Sequence, residues 1–136
     1  MRKLILSALF SGALLLGMAF GIIYFSITFF PSVVEEYYNP TLFWPGDDRA
    51  LLFFIHPFIL SFALAWFWNR FKDQFNGVPL LRGLELGIVY GVVATLPSMW
   101  ITFSAIAVSF SMVLTWFLYG ILQATVAGIV FAHTNP

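Results

Sequence analysis

The chain has 136 residues, of which 61% are apolar and 9% are charged, whereas an ordinary soluble domain has about 45–50% and about 25%. This composition argues against a water-soluble fold. Six Lys and Arg balance six Asp and Glu, so the chain lacks the basic field that nucleic-acid phosphates require, and we predict no nucleic-acid partner. Because there is no cysteine, disulfides, thiolate metal sites and dithiol redox chemistry are excluded.

Three stretches without Asp, Glu, Lys or Arg are long enough to cross a bilayer. They cover residues 4–34, 50–69 and 86–136, and a spanning helix needs about 20 apolar residues. The first stretch is too long for the core of a secretory signal, which has about 7–15 apolar residues. We therefore predict an all-α integral membrane protein, a four-helix bundle that forms one domain over residues 1–136.

Helix-breaking residues divide the chain into four predicted spans with three connections. The spans cover residues 4–30, 49–68, 79–97 and 108–132, and the first two connections are an external loop, 31–48, and a cytoplasmic loop, 69–78. Pro31 ends the first span, because proline cannot continue a helix interior. The external loop is rich in proline, acids and aromatics and is expected at the membrane surface. Asp47 or Asp48 is the predicted N-cap of the second span.

The third span begins at Pro79, a residue that fits the first turn of a helix. Pro97 interrupts its pattern, so Leu96 is its predicted last regular residue. Residues 98–107 are apolar but lie between two spans, and we predict a turn or a short interfacial helix there.

The distribution of basic residues predicts the orientation. With both termini inside, five of the six Lys and Arg are cytoplasmic and Arg49 is external. Since Lys and Arg in short loops are biased to the cytoplasmic side, we predict an N-in, C-in multi-pass protein of the bacterial inner (plasma) membrane.

Small residues recur at intervals of four on three of the predicted spans. The three series are Ala13, Gly17 and Gly21; Gly83, Gly87 and Gly91; and Gly120, Ala124, Gly128 and Ala132. Four residues advance about 400°, so each series forms one ridge, and such ridges let helices approach closely in lipid. Either the ridges pack the bundle internally, or one of them faces a second copy or another subunit.

His56 is an ionisable residue inside the apolar zone of the second span, about 10 Å from its external end at 1.5 Å per residue. Tyr24 and Thr115 are expected at broadly similar depths, and Thr95 nearer the end of the third span. A polar ligand-binding pocket of Tyr24, His56, Thr95 and Thr115 is therefore predicted. The alternative is a neutral histidine with one hydrogen bond that stabilises a bend at Pro57.

A second polar cluster is predicted on the cytoplasmic side. Arg82 and Glu85 are three residues apart and can pair along the third span, and Gln123 lies deeper on the fourth. Glu85 is nearly opposite the glycine ridge of its helix, so it faces lipid or a partner if that ridge faces inward. The cluster is either an interfacial anchor or a proton or cation step at Glu85.

Motifs of the common enzyme classes are absent from the sequence. There is no GxSxG, no HExxH, no glycine loop with GKS or GKT, and no carboxylate pair within a span. His56 without a nearby carboxylate falls short of a zinc site, which needs three or four ligands. We predict no catalytic residue, no metal and no cofactor.

The second half of the chain has a pattern of glycines and aromatics. It runs Gly87, Tyr90 and Gly91, then Trp116, Tyr119 and Gly120, then Ala127 and Gly128. In this pattern it resembles small uncharacterised four-helix inner-membrane proteins of bacteria, a resemblance that implies a fold and no activity. Small multidrug exporters are similar in helix number alone, because the acidic residue of their first span has no counterpart here.

Together these features predict a non-enzymatic membrane protein that acts by helix–helix association. It would be a homo-oligomer or an accessory subunit of a membrane complex, with lipid and itself or another membrane protein as partners. The alternative is a binder or transporter of a small hydrophobic ligand or an ion at the pocket around His56. The three ridges, with scarcely any chemistry between them, favour association.

Overall fold

The computed structural model describes residues 1–43 and 49–136, and these are all-helical, with no strand among them. The helices are α1 (Arg2–Phe29), α2 (Pro31–Tyr37), α3 (Ala50–Phe71), α4 (Pro79–Tyr90), α5 (Leu96–Ala105) and α6 (Phe110–Thr134). A 3₁₀ turn, Lys72–Gln74, follows α3, and a π-helical turn, Gly91–Thr95, joins α4 to α5. The predicted caps of the second span, Asp47 and Asp48, lie outside the described residues.

Four helical segments in the described ranges are long and apolar enough to cross a membrane. They are Arg2–Phe29, Ala50–Gln74, Pro79–Ala105 and Phe110–Thr134. The prediction of an all-α chain with four long apolar helices is therefore confirmed. α1 ends two residues before Pro31, which then occupies the first position of α2, as expected for a residue that has no N–H to donate.

The third long helix corrects the predicted boundary at Leu96. It continues through Pro97 to Ala105, so residues 98–105 are helical and no turn follows the proline. The proline is accommodated because the preceding turn widens, and the N–H of Leu96 bonds to the carbonyl of Gly91, five residues earlier. This wide turn removes the clash that a proline ring makes with an ordinary α-helical ladder.

The helices pack in the order α3, α1, α6, α4, with α1 against both α3 and α6, and α6 against α4. Most of the core lies in the half of the bundle that holds both chain termini, which we call the terminal half. Its largest buried side chains are those of Trp68, Phe131, Leu15 and Leu86. The opposite half, which we call the distal half, has a smaller core around Val108, Met112 and Val113.

Hydroxyl groups join helices within the terminal half. Ser61 of α3 donates to the carbonyl of Ala8 on α1 at 2.7 Å, and Thr134 of α6 donates to Ser7 of α1 at 2.8 Å. A hydrogen bond of this kind contributes about 0.5–1.5 kcal/mol. These contacts fix the rotation of α1, and so determine which of its faces is left uncovered.

Candidate functional site

Two of the three small-residue ridges pack against each other at the contact between α4 and α6. A Cβ added at Gly83 would lie 2.8 Å from the carbonyl oxygen of Thr125, and one added at Gly128 would lie 2.8 Å from the Cα of Gly83. One added at Gly87 would lie 2.9 Å from the carbonyl oxygen of Ile121. Since these neighbours are backbone atoms, no side chain fits between the helices, and both ridges are used inside the bundle.

The rest of these two ridges lies in the same contact. Gly91 faces Ile121, and Gly120 faces Thr95, whose Oγ1 would be 3.1 Å from an added Cβ. Ala124 is fully buried and Ala132 is 5% exposed. The series on α4 and α6 therefore corresponds to internal packing.

The third ridge, on α1, has the opposite placement. Ala13, Gly17 and Gly21 are all exposed, and no described residue has an atom within 4 Å of a Cβ added at either glycine. At 100° per residue the three residues of this ridge lie about 160°, 200° and 240° around the helix from the centre of the buried face. By contrast, Gly12 on the covered side would place a Cβ 2.6 Å from the ring of Phe58. We call Ala13, Gly17 and Gly21 the α1 ridge.

The four residues of the predicted histidine pocket are not joined by hydrogen bonds in the described part of the chain. His56 is exposed on α3, and Tyr24 of α1 is 75% exposed. Thr95 is buried against Gly120, and Thr115 donates to the carbonyl of Ser111. The predicted binding role of these four residues stays a prediction.

A cavity of about 260 Å³ lies between α1 and α6 in the distal half, and it is open on one side, where Phe25, Phe30 and Leu118 of its wall are each about half exposed. Its walls are mostly apolar, and they include the hydroxyl-bearing residues Ser26, Thr115 and Tyr119. Phe30 and Val33 border it where α1 passes into α2. Thr115 thus lines a space, but Tyr24, His56 and Thr95 are not among the residues of its wall.

The polar cluster at the terminal half differs from the predicted pairing. Both Arg82 and Glu85 are described, and no ion pair joins them. The guanidinium of Arg82 lies 4.7 Å from the ring centre of Trp68, and its Nη2 donates to the carbonyl of Lys72 at 3.1 Å. Glu85 accepts a hydrogen bond from the backbone N–H of Asn76 at 3.2 Å. Both side chains therefore hold the connection between α3 and α4.

Gln123, the deepest member of the predicted cluster, is buried on α6. Its side chain lies near the hydroxyl of Tyr119, one turn earlier. That hydroxyl is buried and has no hydrogen-bond partner of normal geometry among the described residues. Gln123 makes no hydrogen bond to Arg82 or Glu85. The three residues therefore do not form one site.

Trp68 is the centre of a cluster that ties the last residues of the chain to α3. Its ring is fully buried and stacks on Phe75 at 5.4 Å with an interplanar angle of 9°. Its indole N–H donates to the carbonyl of Asn135 at 2.9 Å, and the Nζ of Lys72 donates to the carbonyl of Pro136 at 2.6 Å. A cation over a tryptophan face, as Arg82 provides here, adds about 0.5–2 kcal/mol.

The sequence did not indicate the contact that holds α2, which we call the strap, against the start of α6. One carboxylate oxygen of Glu36 accepts from the backbone N–H of Ser109 at 2.7 Å, and the other accepts from the Ser109 hydroxyl at 2.6 Å. Tyr37 accepts a hydrogen bond from the indole N–H of Trp116 and stacks on Phe43 at 5.2 Å. These partners lie more than 70 residues apart, so no local spacing reveals them.

Burial raises the pKa of Tyr37 above its ordinary value. The nearby carboxylate of Glu36 raises the pKa further, and the hydrogen bond from Trp116 lowers it by less than burial raises it. The neutral phenol is therefore the form that fits this contact.

Comparison with known proteins adds no relative. No protein-family model, no curated protein and no solved structure matches this chain. Within the described ranges, no three His, Asp or Glu side chains are grouped as they would be to hold a metal ion. The α1 ridge is therefore the candidate site, on its geometry alone.

Proposed function

We propose that this chain is a multi-pass protein of the bacterial inner membrane that acts by association, with a second copy of itself, through the α1 ridge. One observation carries the proposal. The ridges on α4 and α6 pack against each other, while Ala13, Gly17 and Gly21 have the same spacing and face away from the bundle. Small residues at a lipid-exposed face give up the side-chain contacts that larger apolar residues would make there, so a helix partner is the better account of them.

A membrane setting with both termini in the cytosol is supported by the positions of the charges. Arg2 and Lys3 begin α1, and Arg70, Lys72 and Arg82 lie around the connection from α3 to α4. All five are therefore at the terminal end of the bundle, while Arg49 is at the start of α3, at the other end. The bias of Lys and Arg toward the cytosol assigns the terminal end to that side.

A second copy is the partner that the α1 ridge fits best. A twofold axis through Gly17 brings the same three small residues of both copies together, so the contact is self-complementary. With no side chain between them, the two backbones approach closely and gain van der Waals contact over about two turns of helix. No charged side chain interrupts α1 between Leu4 and Phe29, so no charge must be desolvated.

Disulfide cross-linking in native membranes tests this proposal, because the chain has no cysteine of its own. Ala13→Cys and Gly21→Cys place a thiol on the α1 ridge, and Ala63→Cys places one on an exposed position of α3 as the matched control. We expect mild oxidation to give a species of twice 15.4 kDa from the two ridge variants and not from the control.

Two results would contradict self-association. Equal cross-linking of the control and the ridge variants would mean random collision. An adduct of another mass at the ridge positions would assign the ridge to a different subunit, and the chain would then be an accessory subunit of a larger complex.

Binding of a small hydrophobic ligand is the second candidate function, and the cavity of about 260 Å³ between α1 and α6 favours it. Ser26→Phe is designed to fill this cavity, whereas His56→Ala changes an exposed residue outside its wall. We expect a spin-labelled fatty acid to lose its immobilised component in Ser26→Phe and to keep it in His56→Ala. The reverse result would place the ligand at His56, and binding unchanged in both variants would contradict this function.

A further inference from the structure

We propose that the strap, Pro31–Tyr37, is a latch over the distal mouth of the cavity between α1 and α6, and that protonation of Glu36 releases it. This device is independent of self-association, because the α1 ridge lies on the opposite face of α1 from the buried positions. The proposal rests on the contacts of Glu36, on the hinge before the strap and on the residues that border the cavity.

The carboxylate of Glu36 makes a two-point contact with the first residue before α6. Both of its oxygens accept hydrogen bonds from Ser109, at 2.7 and 2.6 Å, and the Ser109 hydroxyl in turn accepts from the backbone N–H of Met112 at 3.1 Å. The hydroxyl therefore already has a donor and must itself donate to Glu36. A negative charge at this place also meets the positive end of the α6 dipole.

Protonation removes part of each interaction. A protonated carboxyl keeps one good acceptor oxygen, but the other becomes a hydroxyl that faces the Ser109 donor. The attraction between the charge and the helix end is lost at the same time. Acidification should therefore weaken the contact between the strap and α6.

Few other charged side chains lie on the described elements around this contact. On the strap itself, Glu35 and Tyr37 flank Glu36, with Tyr38 after them. The sequence of α1 has no charged residue after Lys3, and α5 and α6 have none before His133, which is at the terminal end. Arg49 precedes α3, the remaining long helix at the distal end. Among the described residues, Glu36 is the carboxylate in contact with Ser109. Asp47 and Asp48 lie outside the described residues.

The strap is built to move as one piece. Phe30 separates α1 from α2 with a non-helical backbone, at φ −131° and ψ 57°, so rotation there swings α2 without unwinding either helix. Phe30 and Val33 both border the cavity. When the strap leaves α6, Val33 is uncovered and the cavity, which is already open on one side at Phe25 and Leu118, widens toward the distal end.

Thiol labelling with a water-soluble maleimide tests the latch, because any cysteine introduced is the single thiol of the chain. Val33→Cys reports on the covered side of the strap, and Ser32→Cys, on its exposed side, corrects for the effect of pH on the maleimide reaction. The quantity measured is the rate at position 33 divided by the rate at position 32. We expect it to rise about tenfold when Glu36→Gln is added at pH 7.5, as for the loss of one charge-assisted hydrogen bond.

Acidification should raise the same ratio when Glu36 is present and leave it unchanged in the Glu36→Gln background. Glu35→Gln is the matched control, because it removes a neighbouring exposed carboxylate without touching Ser109, and it should leave the ratio and its pH response unaltered. Tyr37→Phe should raise the ratio at every pH and retain the acid response. This variant keeps the test valid if Glu36→Gln does not fold.

The latch is wrong if the ratio with Glu36 present stays constant from pH 7.5 to 3.5, a range that extends below the ordinary glutamate value of about 4.3. It is equally wrong if Glu35→Gln abolishes the acid response. It is also wrong if Glu36→Gln folds and gives the same labelling ratio as the protein with Glu36. Association through the α1 ridge is measured by cross-linking at positions 13 and 21, so failure of the latch leaves that proposal standing.

Discussion

Alanine at Gly128 tests whether the contact between α4 and α6 has the close approach described above. The new methyl carbon would lie 2.8 Å from the Cα of Gly83 and 3.0 Å from a methyl carbon of Leu86. Carbon atoms in good contact are about 3.5–4.0 Å apart, so the helices must separate by about 1 Å. Overpacking of this kind typically costs about 1–3 kcal/mol of unfolding free energy.

Gly17→Ala is the matched control, because it adds the same methyl group to a glycine of the same spacing that has no neighbour within 4 Å in the described part of the chain. In a dilute, monomeric detergent preparation we expect it to be neutral, or more stable by up to about 1 kcal/mol, from the better helix propensity of alanine. Denaturant titration followed by circular dichroism gives both values. Equal stability of the two variants, or a larger loss for Gly17→Ala, would refute the assignment of the ridges to inner and outer faces.

Three further changes probe other parts of the fold. Trp68→Phe should lower the unfolding free energy by at least about 1 kcal/mol in the same titration, because it removes the bond to Asn135 and part of a fully buried ring; an unchanged value would contradict the described cluster. Burial raises the pKa of Tyr37, so its contribution to stability is complete below about pH 10, the ordinary tyrosine value, and is lost as the pH rises further. The thermal unfolding temperature should therefore fall more steeply between pH 8 and 11 for the wild type than for Tyr37→Phe. His56→Ala should change stability by no more than about 0.5 kcal/mol, as for an exposed residue, and a loss of several kcal/mol would reveal a structural contact of the imidazole.

The four long helices follow from composition, and their detailed bounds follow from tertiary contacts. A stretch of apolar residues of sufficient length has no other stable arrangement in a bilayer, because every backbone polar group must be satisfied internally. The predicted boundary at Leu96 was wrong because local rules count the lost hydrogen bond and the ring clash of Pro97 without the relief that a widened turn provides. Here the helix continues after a widened turn in which Thr95 packs on Gly120, and a partner 25 residues further along the chain is not visible in local sequence.

The direction of each ridge was also beyond sequence reasoning. Gly17 and Gly87 belong to series with the same spacing. Gly17 has no described neighbour within 4 Å, whereas Gly87 lies against the backbone of α6. In a soluble helix the polar face identifies the outer side, whereas a lipid-exposed helix is apolar all round and has no such marker. The prediction left inward and outward packing open, and the structure assigns each ridge its own side.

The polar contacts were the least predictable part. The spacing of Arg82 and Glu85 favours an ion pair, but Trp68 offers the guanidinium an aromatic face at 4.7 Å. The Glu36 contact with Ser109 joins the strap to a residue 73 positions away. Such pairs arise from how the helices are arranged, and they become visible once that arrangement is known.

Energy transfer between donor- and acceptor-labelled copies in lipid vesicles tests the central claim most directly. Labels at the terminal end report association while the lipid-to-protein ratio is varied, and Gly17→Leu is compared with Ala63→Leu, which adds the same bulk at an exposed site on α3. The account predicts transfer that falls on dilution for the wild type and for Ala63→Leu, and transfer at the level of random proximity for Gly17→Leu. Dilution curves that coincide for all three proteins would contradict association through the α1 ridge.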